Sequence, residues 1–229
     1  MFQKLFTFLC VISLSITLFS CEESKDDDTS LLVLLYSLVN GNAGANVPTS
    51  CKDSAFCRTF LATNNGTGYN GNLGGISGAD AKCTAAKPAG LNGTYKALLV
   101  SGNVREVVSV ADGSPGLKDW VLYPNKQYRR SDGTTITFTT NSNSIVVDTL
   151  QNGIDAGAQK FFWNGFNGGP GTFPWEVSSD CNAWSSGDGI PSGQAGNTTA
   201  TNPNETPGGA FTIDGWNCNQ NLNLLCVEQ

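Results

Sequence analysis

The placement of cysteine constrains this chain more than any other feature. Eight cysteines stand at positions 10, 21, 51, 57, 83, 181, 218 and 226 of 229 residues. The first two belong to an N-terminal stretch laid out as an export signal. Lys4 gives a short charged start, and Leu5 to Phe19 form an apolar run broken only by Thr7, Ser13, Ser15 and Thr17. Ser20, a small residue, then precedes Cys21. Charged start, short apolar run and small residue at the cut describe a signal peptide over residues 1–20. The run also falls short of the roughly 20 apolar residues that a spanning helix requires.

Leu18-Phe19-Ser20-Cys21 resembles a lipobox, with Phe19 bulkier than the small residue usual at that place. The resemblance implies a diacylglyceryl group on the Cys21 sulfur, and hence a lipid membrane as partner. Several acyl chains, at about 0.8 kcal/mol per buried CH2, hold a protein far better than one. The expected location is the cell envelope, at the outer membrane and surface exposed. Glu22-Glu23 directly after Cys21 leaves retention at the inner membrane as the alternative. Residues 21–50 read as a lipidated tether: an acidic patch at Asp26–Asp28, an apolar run Leu31–Val39 too short to span a bilayer, and a polar stretch to Ser50.

Six cysteines remain for the exported part, an even number that implies disulfides. Six cysteines permit about 15 pairings, and spacing selects none of them.

Residues 51–229 are one domain's worth of chain. Short β-like runs alternate with turn signals: Arg58–Thr63, Tyr95–Ser101, Asp119–Tyr123, Thr134–Thr140 after Asp132-Gly133, Ser144–Val147, Phe161–Trp163 and Leu224–Glu228. Two segments read as helices, Gly78–Ala86 with Ser77 as N-cap, and Val104–Val110. Few helices among many short strands give an α+β class. Residues 188–209, rich in Gly, Pro, Thr and Asn, read as a long surface loop.

Several of these segments occur in a familiar order. Gly74-Gly75-Ile76-Ser77-Gly78-Ala79-Asp80-Ala81-Lys82-Cys83 and Leu91-Asn92-Gly93-Thr94-Tyr95-Lys96-Ala97-Leu98-Leu99 resemble the opening of the endostatin domain of collagens. Asp119-Trp120-Val121-Leu122-Tyr123-Pro124, Phe162-Trp163-Asn164-Gly165, Asp180-Cys181-Asn182-Ala183-Trp184 and Gly193-Gln194-Ala195 follow in order. Cys218-Asn219-Gln220 and Leu224-Leu225-Cys226-Val227-Glu228 close the match, which spans about residues 60 to 229. The chain is also similar to an uncharacterised domain family abundant in leptospiral surface lipoproteins. The resemblance implies a C-type-lectin-like fold, with Cys83 joined to Cys226 and Cys181 to Cys218, which leaves Cys51 to Cys57.

The chemistry open to the chain is narrow. There is no histidine, which removes Ser-His-Asp and Cys-His arrangements, imidazole metal ligands and the usual general base. No enzymatic activity, catalytic residue or cofactor is expected. Calcium-dependent lectins carry a Pro-centred acidic or amide loop; here Asn202-Pro203-Asn204-Glu205 lies after Cys181, not before it, and Cys218 stands where an acid is needed after Trp216-Asn217. No metal is expected. The net charge of −6 becomes −7 once Lys4 leaves with the signal, which argues against nucleic acids and sulfated glycans.

Trp120, Trp163, Trp184 and Trp216 lie in the matched strands or beside cysteines and are expected in the core. Trp175 sits in the turn-rich Gly168–Trp175 stretch, where an exposed ring points to contact with a ligand. Phe173 and Trp175, the basic pair Arg129 and Arg130, and the 188–209 loop are the expected binding elements. The expected function is a lipid-anchored surface protein that binds host extracellular-matrix or plasma proteins. Calcium-independent glycan binding and a passive structural coat are the alternatives.

Overall fold

A computed structural model describes residues 50–229 other than 103, 110–114, 167–174, 206–207 and 213. The expected signal peptide, Cys21 with its lipid, Glu22-Glu23, the tether up to residue 49 with its run 31–39, and Phe173 lie outside the described residues.

After a 3-10 turn at Cys51–Asp53, ten strands follow: β1 Phe56–Ala62, β2 Tyr95–Ala97, β3 Glu106–Ser109, β4 Pro115–Lys118, β5 Gln127–Arg130, β6 Ile136–Thr139, β7 Phe161–Trp163, β8 Ser192–Asn197, β9 Gly215–Asn217 and β10 Asn223–Glu228. Helix α1 is Gly75–Ala85, and a single turn, α2, is Cys181–Trp184. Eight strands make one mixed sheet in the order β6-β5-β1-β10-β7-β8-β9, with β2 added to β10; β3 and β4 form a separate hairpin. The class is α+β.

Side chains alternate across the central strands and feed two cores. On one face Phe60, Ala62, Leu224 and Cys226 pack against Leu73, Ile76, Ala79 and Cys83 of the α1 region and against Trp163 and Trp184. On the other, Cys57, Leu225, Val227, Phe162, Tyr128 and Phe138 lie under a long irregular layer that contributes Val121, Leu122, Ile145, Val146, Phe166 and Phe211. Three disulfides close the framework: Cys51–Cys57, Cys83–Cys226 and Cys181–Cys218. They are the pairs that the resemblance implies. Cys83–Cys226 staples α1 to the central strand across 143 positions.

Several elements differ from the sequence reading. Val104–Val110 is not a helix: Glu106–Ser109 pairs with Pro115–Lys118 as a hairpin, which suits its β-branched Val107 and Val108. Asp119–Tyr123 and Ser144–Val147 form no strand. Asp119 (φ 41) and Ser144 (φ 62) are left-handed and stop an extended run, while Val121 with Leu122 and Ile145 with Val146 are buried as adjacent pairs. Gly74 (φ 83) is the N-cap of α1 and makes no side-chain cap, so Ser77 is inside the helix. The 188–209 stretch contains β8, paired with β7 and β9. Its glycines look loop-like but serve close packing: a Cβ on Gly196 would meet Ala210 O at 2.3 Å and Phe162 Cζ at 2.4 Å.

Candidate functional site

The central strands position the site. Cys51 N donates to Gln229 O at 2.9 Å, so the chain comes into the domain beside the end of β10. Strand β1 then runs antiparallel to β10 and delivers Thr63 at the opposite end. Seven residues at about 3.3 Å each put roughly 20 Å between the two ends.

Beyond Ala62 the chain turns sharply. Asn64 (φ 48), Asn65 (φ 54), Gly66 (φ 90) and Gly68 (φ 74) are all left-handed, the region that Asn and Gly tolerate best. Gly66 N and Gly68 N both donate to Thr63 O at 2.9 Å, and Asn64 Nδ2 donates to Gly68 O at 2.9 Å. Tyr69 and Leu222 then exchange backbone hydrogen bonds of 2.6 and 2.9 Å, which pins the turn to the chain just before β10.

Three depressions meet at Thr63. One of about 380 Å3 lies between Thr63, Asn64, Asn65, Tyr69 and the end of α1. One of about 290 Å3 runs along Thr59–Leu61 toward Arg130, Asp155 and Lys160. A third, of about 520 Å3, is bounded by Lys160, Phe161 and Asn221–Asn223. Together they form a groove across the far end of the sheet.

Its charges are balanced from within. Arg130 donates to Gly153 O (2.6 Å from Nη2) and to Asp155 O (3.0 Å), and Lys160 pairs with the Asp155 carboxylate. Burial works to raise the Asp155 pKa, but hydrogen bonds from Lys160 and the Ala156 backbone, with the charges of Lys160 and Arg130, together hold the carboxyl below its ordinary value. Burial lifts the Tyr69 phenol, partly opposed by the Asn64 backbone, so the ring stays a neutral donor. The side chains of Thr63, Asn65 and Asn221 make no hydrogen bond among the described residues, and both asparagines are exposed. Phe161 is half-buried against Trp216, ring centroids 5.0 Å apart. The groove therefore offers hydroxyl, amide and aromatic groups and little net charge.

The residues expected from the sequence are not brought together. Arg129 and Arg130 are adjacent in β5 and point to opposite faces of the sheet. Arg130 lines the groove. Arg129 donates to Gln127 Oε1 at 2.7 Å and Gly133 O at 3.0 Å and lies 4.1 Å from the Phe56 ring centroid. Trp175 corrects the expectation of an exposed ring: it is fully buried, because Trp120, Phe166 and Phe211 enclose it at centroid distances of 5.9, 4.7 and 5.1 Å. Asn202 and Pro203 spend their carbonyls on Ala210 N and Phe211 N. Among the described residues no group of three His, Cys, Asp or Glu could hold a metal.

Thr63, Asn65, Tyr69, Phe161 and Asn221 escaped the sequence reading. Thr63-Asn64-Asn65-Gly66-Thr67-Gly68 is a readable turn signal, and so is the Asn-rich stretch before β10. Nothing local says that the two meet, because that depends on β1 pairing with β10 across most of the chain.

Residues 66–201, more than half of the chain, match a family described as proteins of unknown function, DUF1554. No curated protein matches the chain.

Proposed function

The chain belongs to the DUF1554 family, and we propose that it is a lipid-anchored surface protein of the outer membrane whose lectin-like domain binds host matrix or plasma proteins. The observation that carries this reading is the position of the groove. It opens at the far end of β1 from Cys51 and gathers the exposed amides of Asn65 and Asn221 around Thr63. The lipobox-like Leu18–Cys21 supports the anchor. The three disulfide pairs, in the pattern that the endostatin resemblance implies, support the lectin-like scaffold. The absence of histidine supports binding over catalysis.

The test is saturable binding of the oxidised chain to a panel of matrix and plasma proteins. Asn65→Arg and Asn221→Arg, both at exposed positions, should abolish binding with the fold intact. A blank panel with folded protein would overturn the reading in favour of a passive coat. Glycan recognition without calcium is the second reading, favoured by free amides beside the Tyr69 and Phe161 rings. A glycan array silent with calcium and with chelator would remove it.

A further inference from the structure

The opposite end of the same sheet carries a different chemistry. The parallel register of β1 and β5 sets Arg58 directly beside Arg129, and Phe56 beside Gln127. Phe56, Arg58 and Arg129 share one face, and the two guanidinium carbons lie 4.9 and 4.1 Å from the Phe56 ring centroid. At these distances the ring supports both cations.

The donors are only partly used. Arg129 spends Nε and Nη1 on Gln127 and Gly133, which leaves Nη2. The Arg58 guanidinium makes no hydrogen bond among the described residues, and neither arginine has a carboxylate at ion-pair distance there. Asp132, close by in the chain, has its carboxylate occupied by Thr134 N (2.7 Å), Thr135 N (2.8 Å) and Thr135 Oγ1 (2.7 Å). Glu228 accepts the backbone N–H of Arg58 at 2.8 Å, and its charge also acts on the Arg58 guanidinium. Gly133 keeps the approach clear, since a Cβ there would lie 3.0 Å from Arg58 Nη2. Two guanidinium groups thus share one aromatic support with a single carboxylate, Glu228, acting on Arg58, and an anion would offset the positive charge that remains.

We propose that Arg58 and Arg129, braced on Phe56, form a binding site for a single oxyanion of the phosphate class. The proposal is independent of the groove and of its ligand. Two forks suit one tetrahedral oxyanion and are too few for a polyanion, which needs a run of cations. The phosphate has two sources: a lipid headgroup or a free ion in solution.

The experiment titrates inorganic phosphate into the unlipidated chain 22–229 and follows the arginine side-chain NMR signals. The same chain is then floated with vesicles of phosphatidylcholine alone or with added phosphatidylglycerol. Saturable phosphate binding that Arg58→Gln weakens roughly ten- to a hundredfold, as loss of charge-assisted hydrogen bonds implies, is the expected result. Arg58→Lys should fall between, having charge without the fork. Arg58→Gln gives up its stacking on Phe56, so the Gln variant should melt slightly below the parent, and binding is compared at a temperature where both are folded. Retention on phosphatidylglycerol vesicles that Arg58→Gln loses would assign the headgroup; phosphate binding without retention would assign a free oxyanion. Absence of saturable phosphate binding, or binding that Arg58→Gln leaves unchanged, would overturn the site.

Discussion

Arg105 and Asp80 meet as a two-pronged ion pair, Nη1 to Oδ1 at 2.9 Å and Nη2 to Oδ2 at 2.8 Å. The arginine side chain is 1% exposed, and it also donates to Ala97 O at 3.0 Å and to Asp119. Asp80 in turn accepts Ala97 N at 2.9 Å. One buried cation therefore ties α1, β2 and the start of β3 to the turn at Asp119, where Lys96 adds a second positive charge at 2.7 Å. Removing one partner of such a group strands the others. Arg105→Met should cost about 3–5 kcal/mol in denaturant unfolding, whereas Lys96→Met, at a half-exposed pair, should cost about 1 kcal/mol or less.

The same cluster sets an acid limit. Burial pushes the Asp119 pKa upward, but hydrogen bonds from Lys96 and Arg105 and their charges prevail and hold it below 3.8. A carboxyl with a depressed folded pKa contributes stability that is complete above its unfolded value and lost as pH falls through the folded one. The melting temperature should therefore drop on acidification below about pH 4. Asp119→Asn should flatten part of that drop.

The disulfides should rank by the chain they close. Separations of 143, 37 and 6 positions correspond to about 5, 4 and 2 kcal/mol in the chain-entropy relation. Paired Ser substitutions at Cys83/Cys226, Cys181/Cys218 and Cys51/Cys57 should fall in that order in unfolding free energy. A larger loss from Cys51/Cys57 than from Cys83/Cys226 would contradict it.

Gly196 should tolerate no side chain. Its Cβ would collide with Ala210 O and the Phe162 ring, and the backbone carbonyl cannot swing away as a flexible side chain would. Gly196→Ala should cost about 1–3 kcal/mol or more by overpacking. Gly102→Ala, with nothing within 4 Å of its Cβ, is the control and should change little.

Relief is expected at α2. Cys181, Asn182, Ala183 and Trp184 all have φ between 51 and 59, a left-handed turn held by the Cys181–Cys218 bond, the buried Trp184 and an Asp180 cap on Ala183 N at 2.9 Å. Left-handed geometry costs an L residue roughly 1–2 kcal/mol. Ala183→Gly should raise the denaturant midpoint, by about 1 kcal/mol of stability, with an unchanged slope.

The α+β class, the α1 segment, β1, β7 and β10 were legible because apolar spacing and turn residues agree there. What misled was composition taken alone. Gly-rich β8 looked like a loop, although its glycines exist to let Trp163, Phe162 and Ala210 come close. Trp175 looked exposed because its neighbours are turn-formers, yet Trp120 and Phe211 close over it from distant parts of the chain, with Phe166 beside them. The groove was illegible for the same reason: Thr63 and Asn221 are 158 positions apart, and their meeting is a property of strand pairing.

The course of β1 also bears on mechanics. A load applied between Cys51 and a ligand seated at Thr63 would run along the strand, at right angles to its hydrogen bonds with β10 and β5. Both points of attachment lie on or beside β1, so its covalent backbone would carry the tension and those bonds would stay largely unloaded. The Cys51–Cys57 bond would carry the pull past the first turn and straight into the middle of the sheet. A domain loaded in this way would keep its strand pairing out of the path of the force.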